Sequence, residues 1–340
     1  MTGLRYDTMG VLRGTADPGL QYLLDRDLTG HDTPPAETLW QSPQVRRILV
    51  QQKPDGRWRY SGGDHHLRSA DNYDQLETLR QLSVLVHKYA LTGQHPAVRS
   101  AAEFLTSFQT DAGDFRGIYG PQYTPNYCAA IAEVLISAGF SRTPAVHACL
   151  DWLIGMRQDD GGWALPTRTR GLPLAVMRAG TGPVEPDRSR ASSHLITGIV
   201  LRCFAAHPDY RCHRDIRAAG DLLSARLFGR DNYPDHASKA YWFIFSYPYW
   251  WTDLLSALDT LALLHFGDDN TQIAKALAWF LDNQQPSGLW NPGRNRPKGS
   301  LSDQWVGFAI CRMLTRYGRT VALETRSGAS VPHHNLSAEP

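Results

Sequence analysis

Residues 52–58, Gln52-Lys53-Pro54-Asp55-Gly56-Arg57-Trp58, leave a helical pattern, turn on a glycine and close on an aromatic ring. The same turn returns as Gln109-Thr110-Asp111-Ala112-Gly113-Asp114-Phe115, as Gln158-Asp159-Asp160-Gly161-Gly162-Trp163 and as Gln285-Pro286-Ser287-Gly288-Leu289-Trp290. Leu227 to Tyr233 reads as a degraded fifth copy. A glycine suits a chain that must stop a helix with positive φ, and the ring gives the turn an apolar anchor. One unit repeated along a chain speaks first about architecture.

Outward from these turns, two kinds of helix alternate. Val98, Ala101, Ala102, Phe104 and Leu105 form an amphipathic stripe, and so do Val146, Cys149, Leu150, Trp152 and Leu153. Ile216 to Leu223 and Ile273 to Phe280 repeat it. Each is one face of a helix with its other side in water. The second kind is apolar nearly all round: Asn126 to Phe140, His194 to Ala206, Asp253 to Phe266 and Gln304 to Leu314, with Asn72 to Tyr89 as the more polar member. A helix apolar on every side must be buried on every side. Outer and inner helices in alternation predict an all-α fold, a single α/α toroid with a ring of inner helices inside a ring of outer ones. The expected organisation is an N-terminal segment packing on the toroid (1–43), the toroid itself (44–320) with an inserted loop (165–191), and a disordered tail (321–340).

The composition agrees. The chain has 340 residues, 42% hydrophobic and 20% charged, which is ample for a large core. Lys+Arg 35 against Asp+Glu 33 leaves a net charge of +2, too near neutral to suggest nucleic acid or an anionic membrane as partner. No apolar run reaches the ~18 residues of a transmembrane helix. Five cysteines without paired spacing point to a reducing compartment, the cytoplasm, and no obligate protein partner is legible.

The Gln-x-x-x-Gly-x-Trp turns at the ends of outer helices resemble the QW repeats of squalene–hopene and oxidosqualene cyclases, and the equivalent repeats of protein prenyltransferase β-subunits. The resemblance runs from about Gln44 to Tyr317 and implies a terpenoid-cyclase or prenyltransferase scaffold. The chain departs from that family in chemistry. It has no Asp-x-Asp-Asp, no Asp-Asp-x-x-Asp and no Asp-x-Cys zinc motif at Asp253-Leu254-Leu255 or Asp303-Gln304-Trp305. A substitute zinc site would need Cys128, His194 and Asp253 to converge. No resident metal is assigned, His65-His66 included, and the cofactor is unknown.

In a toroid of this kind a pocket is expected where the inner-helix N-termini meet. That places Asp253, His194, Asp74 and Asp303 as candidate acid/base groups, although Asp and Ser/Thr at such positions also serve as helix caps. Cys128 reads more simply as a buried thiol than as a nucleophile. The densest local feature is Tyr241 to Trp251, eight aromatics in eleven positions, interrupted by Pro248. From it Trp242, Phe245, Tyr247, Tyr249, Trp250 and Trp251 are candidate substrate contacts, joined by Tyr73, Tyr127 and Trp305; as core, the same rings would plug the ring's centre. In the inserted loop Arg168 and Arg170, with Arg178, could clamp an anionic group. Three functions fit: an isoprenoid-handling enzyme with an apolar substrate in an aromatic cavity, a carbohydrate-active toroid hydrolase or lyase using carboxylates such as Asp74 and Asp303, and a non-catalytic ligand-binding scaffold.

Overall fold

The computed structural model describes residues 3–62, 70–172, 182–293 and 299–321. The His65-His66 pair, Arg178 and the tail from Ser327 to Pro340 lie outside these residues. Among the described residues the chain is all-helical; only isolated bridges pair, Gln109 with Phe115 and Gly117 with Gly120.

Short helices open the chain: α1 (Thr8–Arg13), α2 (Pro18–Leu24) and α3 (Pro43–Leu49). There follow α4 (Ala70–Tyr89), α5 (Pro96–Thr106), α6 (Pro125–Leu135), α7 (Pro144–Gly155) and the single turn α8 (Pro166–Thr169). The last five are α9 (His194–Ala206), α10 (Arg214–Ala225), α11 (Leu254–Leu263), α12 (Thr271–Asp282) and α13 (Leu301–Arg316). Proline opens α2, α3, α5, α6, α7 and α8, where its missing N–H costs nothing and its fixed φ suits the first turn. No helix among the described residues is long and apolar enough to cross a membrane.

The buried stripes fall where the periodicity puts them. On α5 they are Val98, Ala101, Ala102 and Leu105; on α7, Val146, Cys149, Leu150 and Leu153; on α12, Ile273, Ala276, Leu277 and Phe280. By contrast every residue of α9 but the last is buried. The enclosed helices pack in a circuit. α4 lies on α6, α6 on α9, α9 on α11 and α11 on α13; α13 meets α2 and the π-helical turn Asp25–Thr29 that continues it, and α2 returns to α4. The N-terminal segment therefore supplies a member of the circuit. Gly3 lies beside Thr320, 3.5 Å from an ideal Cβ to the carbonyl oxygen, so the two ends of the described chain meet.

Four turns share one backbone pattern. Lys53, Thr110, Gln158 and Gln285 each donate their N–H to the carbonyl four residues on, and Gly56, Gly113, Gly161 and Gly288 sit at φ of 88°, 99°, 93° and 81°. The indoles of Trp58, Trp163 and Trp290 each donate to the carbonyl ten residues back, Ile48 at 2.8 Å, Leu153 at 2.6 Å and Phe280 at 2.7 Å. Each ring thus clasps the outer helix it follows. This alignment moves the working glutamine of the last turn to Gln284, and puts Arg157 at the matching place in the third.

Those glutamines are staples to the next outer helix. Gln52 donates to Gly56 O and to Ala97 O in α5, and Gln109 to Gly113 O and to Ala145 O in α7. Gln284 donates to Tyr6 O and Thr8 Oγ1 and accepts from Arg5 N and Tyr6 N, so the last turn is tied to the first helix. Gln158, one place out of register, instead reaches Asp187 O and Arg190 O and pins the inserted segment. The degraded copy at 227–233 lacks this pattern; its Asp231 instead accepts from Ser193 Oγ at 2.9 Å and Leu195 N at 3.0 Å at the start of α9.

Candidate functional site

The enclosed helices turn regular stripes toward shared cavities: Leu79, Ser83 and His87 on α4, Ala130 and Glu133 on α6 with Ser137 in the π-helical turn Ile136–Phe140 that continues it, Ile199, Arg202 and Ala206 on α9. Spacings of three and four keep each stripe on one helical face. They line two cavities in succession. The first, walled by Tyr127, Trp250 and Trp251, holds about 20 Å³, roughly the space of one water. The second holds about 160 Å³ and gathers charged side chains among apolar ones: His87, Glu133, Arg202, Asp259, Arg312 and Arg316 reach it from five helices, with Tyr247 and Tyr249. Glu133, Arg202 and Tyr249 line both cavities and form the layer between them.

The charges in the larger cavity are paired. Arg202 Nε lies 3.0 Å from Glu133 Oε2, and Arg312 lies 3.5 Å from Asp259 and 3.7 Å from Asp27. Arg316 also bonds Asp259. Tyr249 donates its hydroxyl to Asp259 Oδ2 at 2.9 Å, Tyr247 donates to His87 O at 3.1 Å, and Arg312 Nη1 donates to the Tyr247 oxygen at 3.2 Å. Burial lowers the His87 pKa from its ordinary value, only partly opposed by Glu133 at 3.6 Å, so the imidazole is neutral at pH 7. Burial pushes the Tyr249 phenol well above its ordinary range. Three guanidiniums face three carboxylates, and a buried charge left without such a partner would be strongly destabilising. Asn126 Oδ1 beside the first cavity and Arg312 Nε beside the second are buried without hydrogen-bond partners.

The residues singled out from the sequence divide between this axis and the helix ends. Tyr127, Tyr247, Tyr249, Trp250 and Trp251 line the axial cavities. Trp305 stacks on Tyr247 at 5.7 Å, while Phe245 packs into the core beside Phe280 at 5.4 Å. Asp253, His194, Asp74 and Asp303 line neither axial cavity. Asp253 is the N-cap of α11 in a capping box with Ser256, and Asp303 forms one with Ser300 on α13. Asp74 accepts from Tyr60 N at 2.8 Å, beside the Tyr60–Tyr73 ring stack. His194 sits 3.3 Å from Asp231 and stacks on the buried Trp242 at 4.6 Å; burial lowers its pKa despite Asp231.

Arg168 makes a two-pronged pair with Asp235, and Arg170 donates to Glu185 O and Pro186 O, so both brace the loop. Cys128 Sγ donates to Phe115 O, and burial raises its pKa far above the thiol range. Among the described residues no three His, Cys, Asp or Glu side chains gather as a metal site.

The sequence reading does not single out this charged set. Its signal was available: single charged residues inside otherwise apolar helices, Glu133 in α6, Arg202 in α9 and Asp259 in α11. Such residues are almost never fully buried unless paired.

No family model matches the chain, and no curated protein matches it. Among solved structures it is similar to a polysaccharide lyase, with 12% identity over 93% of this chain and 91% of the other at a TM-score of 0.46. It is similar to a single-substitution variant of the type II terpene cyclase MstE from Scytonema in complex with the substrate geranylgeranyl dihydroxybenzoate, with 13% identity, 83% and 98% coverage and a TM-score of 0.34. A protein from Actinoplanes gives 16% identity, 83% and 99% coverage and a TM-score of 0.31. At these scores the neighbours differ among themselves in activity and assign none to this chain.

Proposed function

We propose that the chain is a closed α/α toroid whose axial cavity binds a neutral, polyhydroxylated ring compound, a carbohydrate, and acts on it by acid–base chemistry. The carrying observation is the charge balance of the larger cavity. Arg202, Arg312 and Arg316 are already matched by Glu133, Asp259 and Asp27, and His87 is neutral. A diphosphate would meet no cation in excess, and a bare hydrocarbon would strip the hydration from the five charged side chains that line the cavity without replacing it. Sugar hydroxyls both donate and accept, which suits such a lining, and their ring faces suit Tyr and Trp.

Within this reading Asp259 is held by three donors and orients the ligand. Glu133 has a single guanidinium at hydrogen-bond distance and is the carboxylate available to exchange a proton. The neutral His87 beside it is the second proton carrier. Titration calorimetry of the purified protein against neutral oligosaccharides, uronate oligosaccharides and geranylgeranyl diphosphate tests the class. Saccharide binding is the expected result. Glu133→Gln, whose amide oxygen can still accept from Arg202 Nε, should then keep binding, with folding verified by thermal melts, and lower turnover by about 10²–10⁴-fold. Binding of the prenyl diphosphate with no saccharide bound would overturn the reading.

That outcome would favour the isoprenoid-handling reading, which the aromatic wall of Tyr127, Trp250 and Trp251 supports. It would require the small first cavity to open around a chain, with cationic intermediates facing the rings.

A further inference from the structure

A third cavity, of about 170 Å³, lies next to the aromatic axial one and shares Trp251 with it. Its walls are His236, Tyr241, Ile244, Trp251 and Thr252. An apolar cavity of about 150 Å³ holds one six-membered ring, so this volume is the size of a single ring. The rings are set as a corner: the His236 imidazole meets Tyr241 edge-on at 4.1 Å and Trp251 at 4.7 Å. Tyr241 is 39% exposed, an unusual position for a large ring in this chain, and stands at the solvent side.

Two features of His236 are unexplained by packing. Its backbone is in the left-handed region at φ 57°, a conformation that costs energy for a residue with a side chain. Its Nδ1 is buried and has no hydrogen-bond partner. Both persist because the loop is fixed from outside. Asp235 is clamped by Arg168, Asn232 Nδ2 donates to Ser192 O, and the Tyr233 hydroxyl donates to Ala191 O. Thr252 donates its hydroxyl to Leu195 O at 2.6 Å, which fixes this wall to the start of α9. Burial lowers the His236 pKa, so the imidazole offers one neutral nitrogen rather than a charge.

We infer that this side cavity is a second binding subsite, which takes one further ring of the same hydroxylated ligand, packed against Tyr241, Trp251 and the His236 imidazole. The inference rests on the carbohydrate reading of the axial cavity. A chain reaching it from the larger axial cavity would run through the small first cavity, which must open around it, and past the Trp251 indole that the first cavity and the side cavity share. The subsite then makes affinity depend on ligand length.

The test compares a monosaccharide with its tri- and tetrasaccharides by calorimetry, on wild type, Tyr241→Ala and His236→Asn. Asn tolerates the left-handed backbone, and Tyr241 is exposed, so neither change threatens folding; thermal melts verify this. The expected result is at least tenfold tighter binding of the longer ligands to wild type. Each variant loses most of that gain and leaves monosaccharide affinity unchanged. Saccharide binding that is independent of length, or a length dependence that survives both substitutions, overturns the subsite and leaves the carbohydrate reading standing. If no saccharide of any length binds wild type, the carbohydrate reading fails and the subsite with it.

Discussion

At the scale of single residues, the helix-end carboxylates and the axial ones differ in what surrounds them. Asp253 accepts from Ser256 N through Oδ1 at 2.8 Å, but its Oδ2 is buried with no partner. Burial therefore pushes its carboxyl up from 3.8 to about 7. Between those two values the folded protein holds a proton that the unfolded chain has released, so stability falls as pH rises through that window and the loss is complete above it. Asp253→Asn keeps a capping oxygen and removes the titration. Its melting temperature at pH 8 should exceed that of wild type, and the decline between pH 4 and 8 should flatten. Calorimetric melts across that range check this, and a variant with an unchanged slope would show that another group sets it.

At the scale of elements, the turn is the unit that repeats, and the glycine within it has two separable duties. Gly113 has φ 99° and would place an added Cβ 2.5 Å from Ala148 O on α7; Gly161 has φ 93° with nothing within 4 Å. Gly161→Ala should lose roughly 1–2 kcal/mol, the cost of the left-handed backbone alone. Gly113→Ala should lose measurably more, because α7 must also move. Urea midpoints of the two variants give the difference, and equal losses would mean that the turn and helix are loosely docked. Helix type and turn position were legible in the sequence because periodicity and glycine act locally. The register of the glutamine was not, since Gln284 and Gln285 stand side by side and only the partner, Tyr6 and Thr8 far along the chain, distinguishes them. The axial cluster was hidden for the same reason. Glu133, Arg202 and Asp259 are isolated charges on separate helices, and their pairing exists only once the helices surround one axis. The end residues Asp253 and Asp303 drew attention because caps are local signals, and they do cap.

At the scale of the whole molecule, both ends of the described chain contribute to the circuit of packed helices. Gln284 holds Tyr6 and Thr8, Arg312 faces Asp27, and α2 packs between α13 and α4. Removing residues 1–30 deletes two helices, the partner of the last staple and one carboxylate of the axial network. The shortened chain should lose its sharp thermal transition rather than shift it by a few degrees, as circular dichroism melts would record. A sharp transition retained in the shortened protein would mean that the remaining helices are stable as an open arc.

The contact of Gly3 with Thr320 has a consequence for the order of the chain. Because four of the turns repeat one pattern and the two ends of the described chain lie together, the break between residues 320 and 3 is not marked out from the other connections. A short peptide joining residue 320 to residue 3 would make the backbone a loop. New ends cut at the exposed stretch near Gln94 would give a circular permutant with every staple in place.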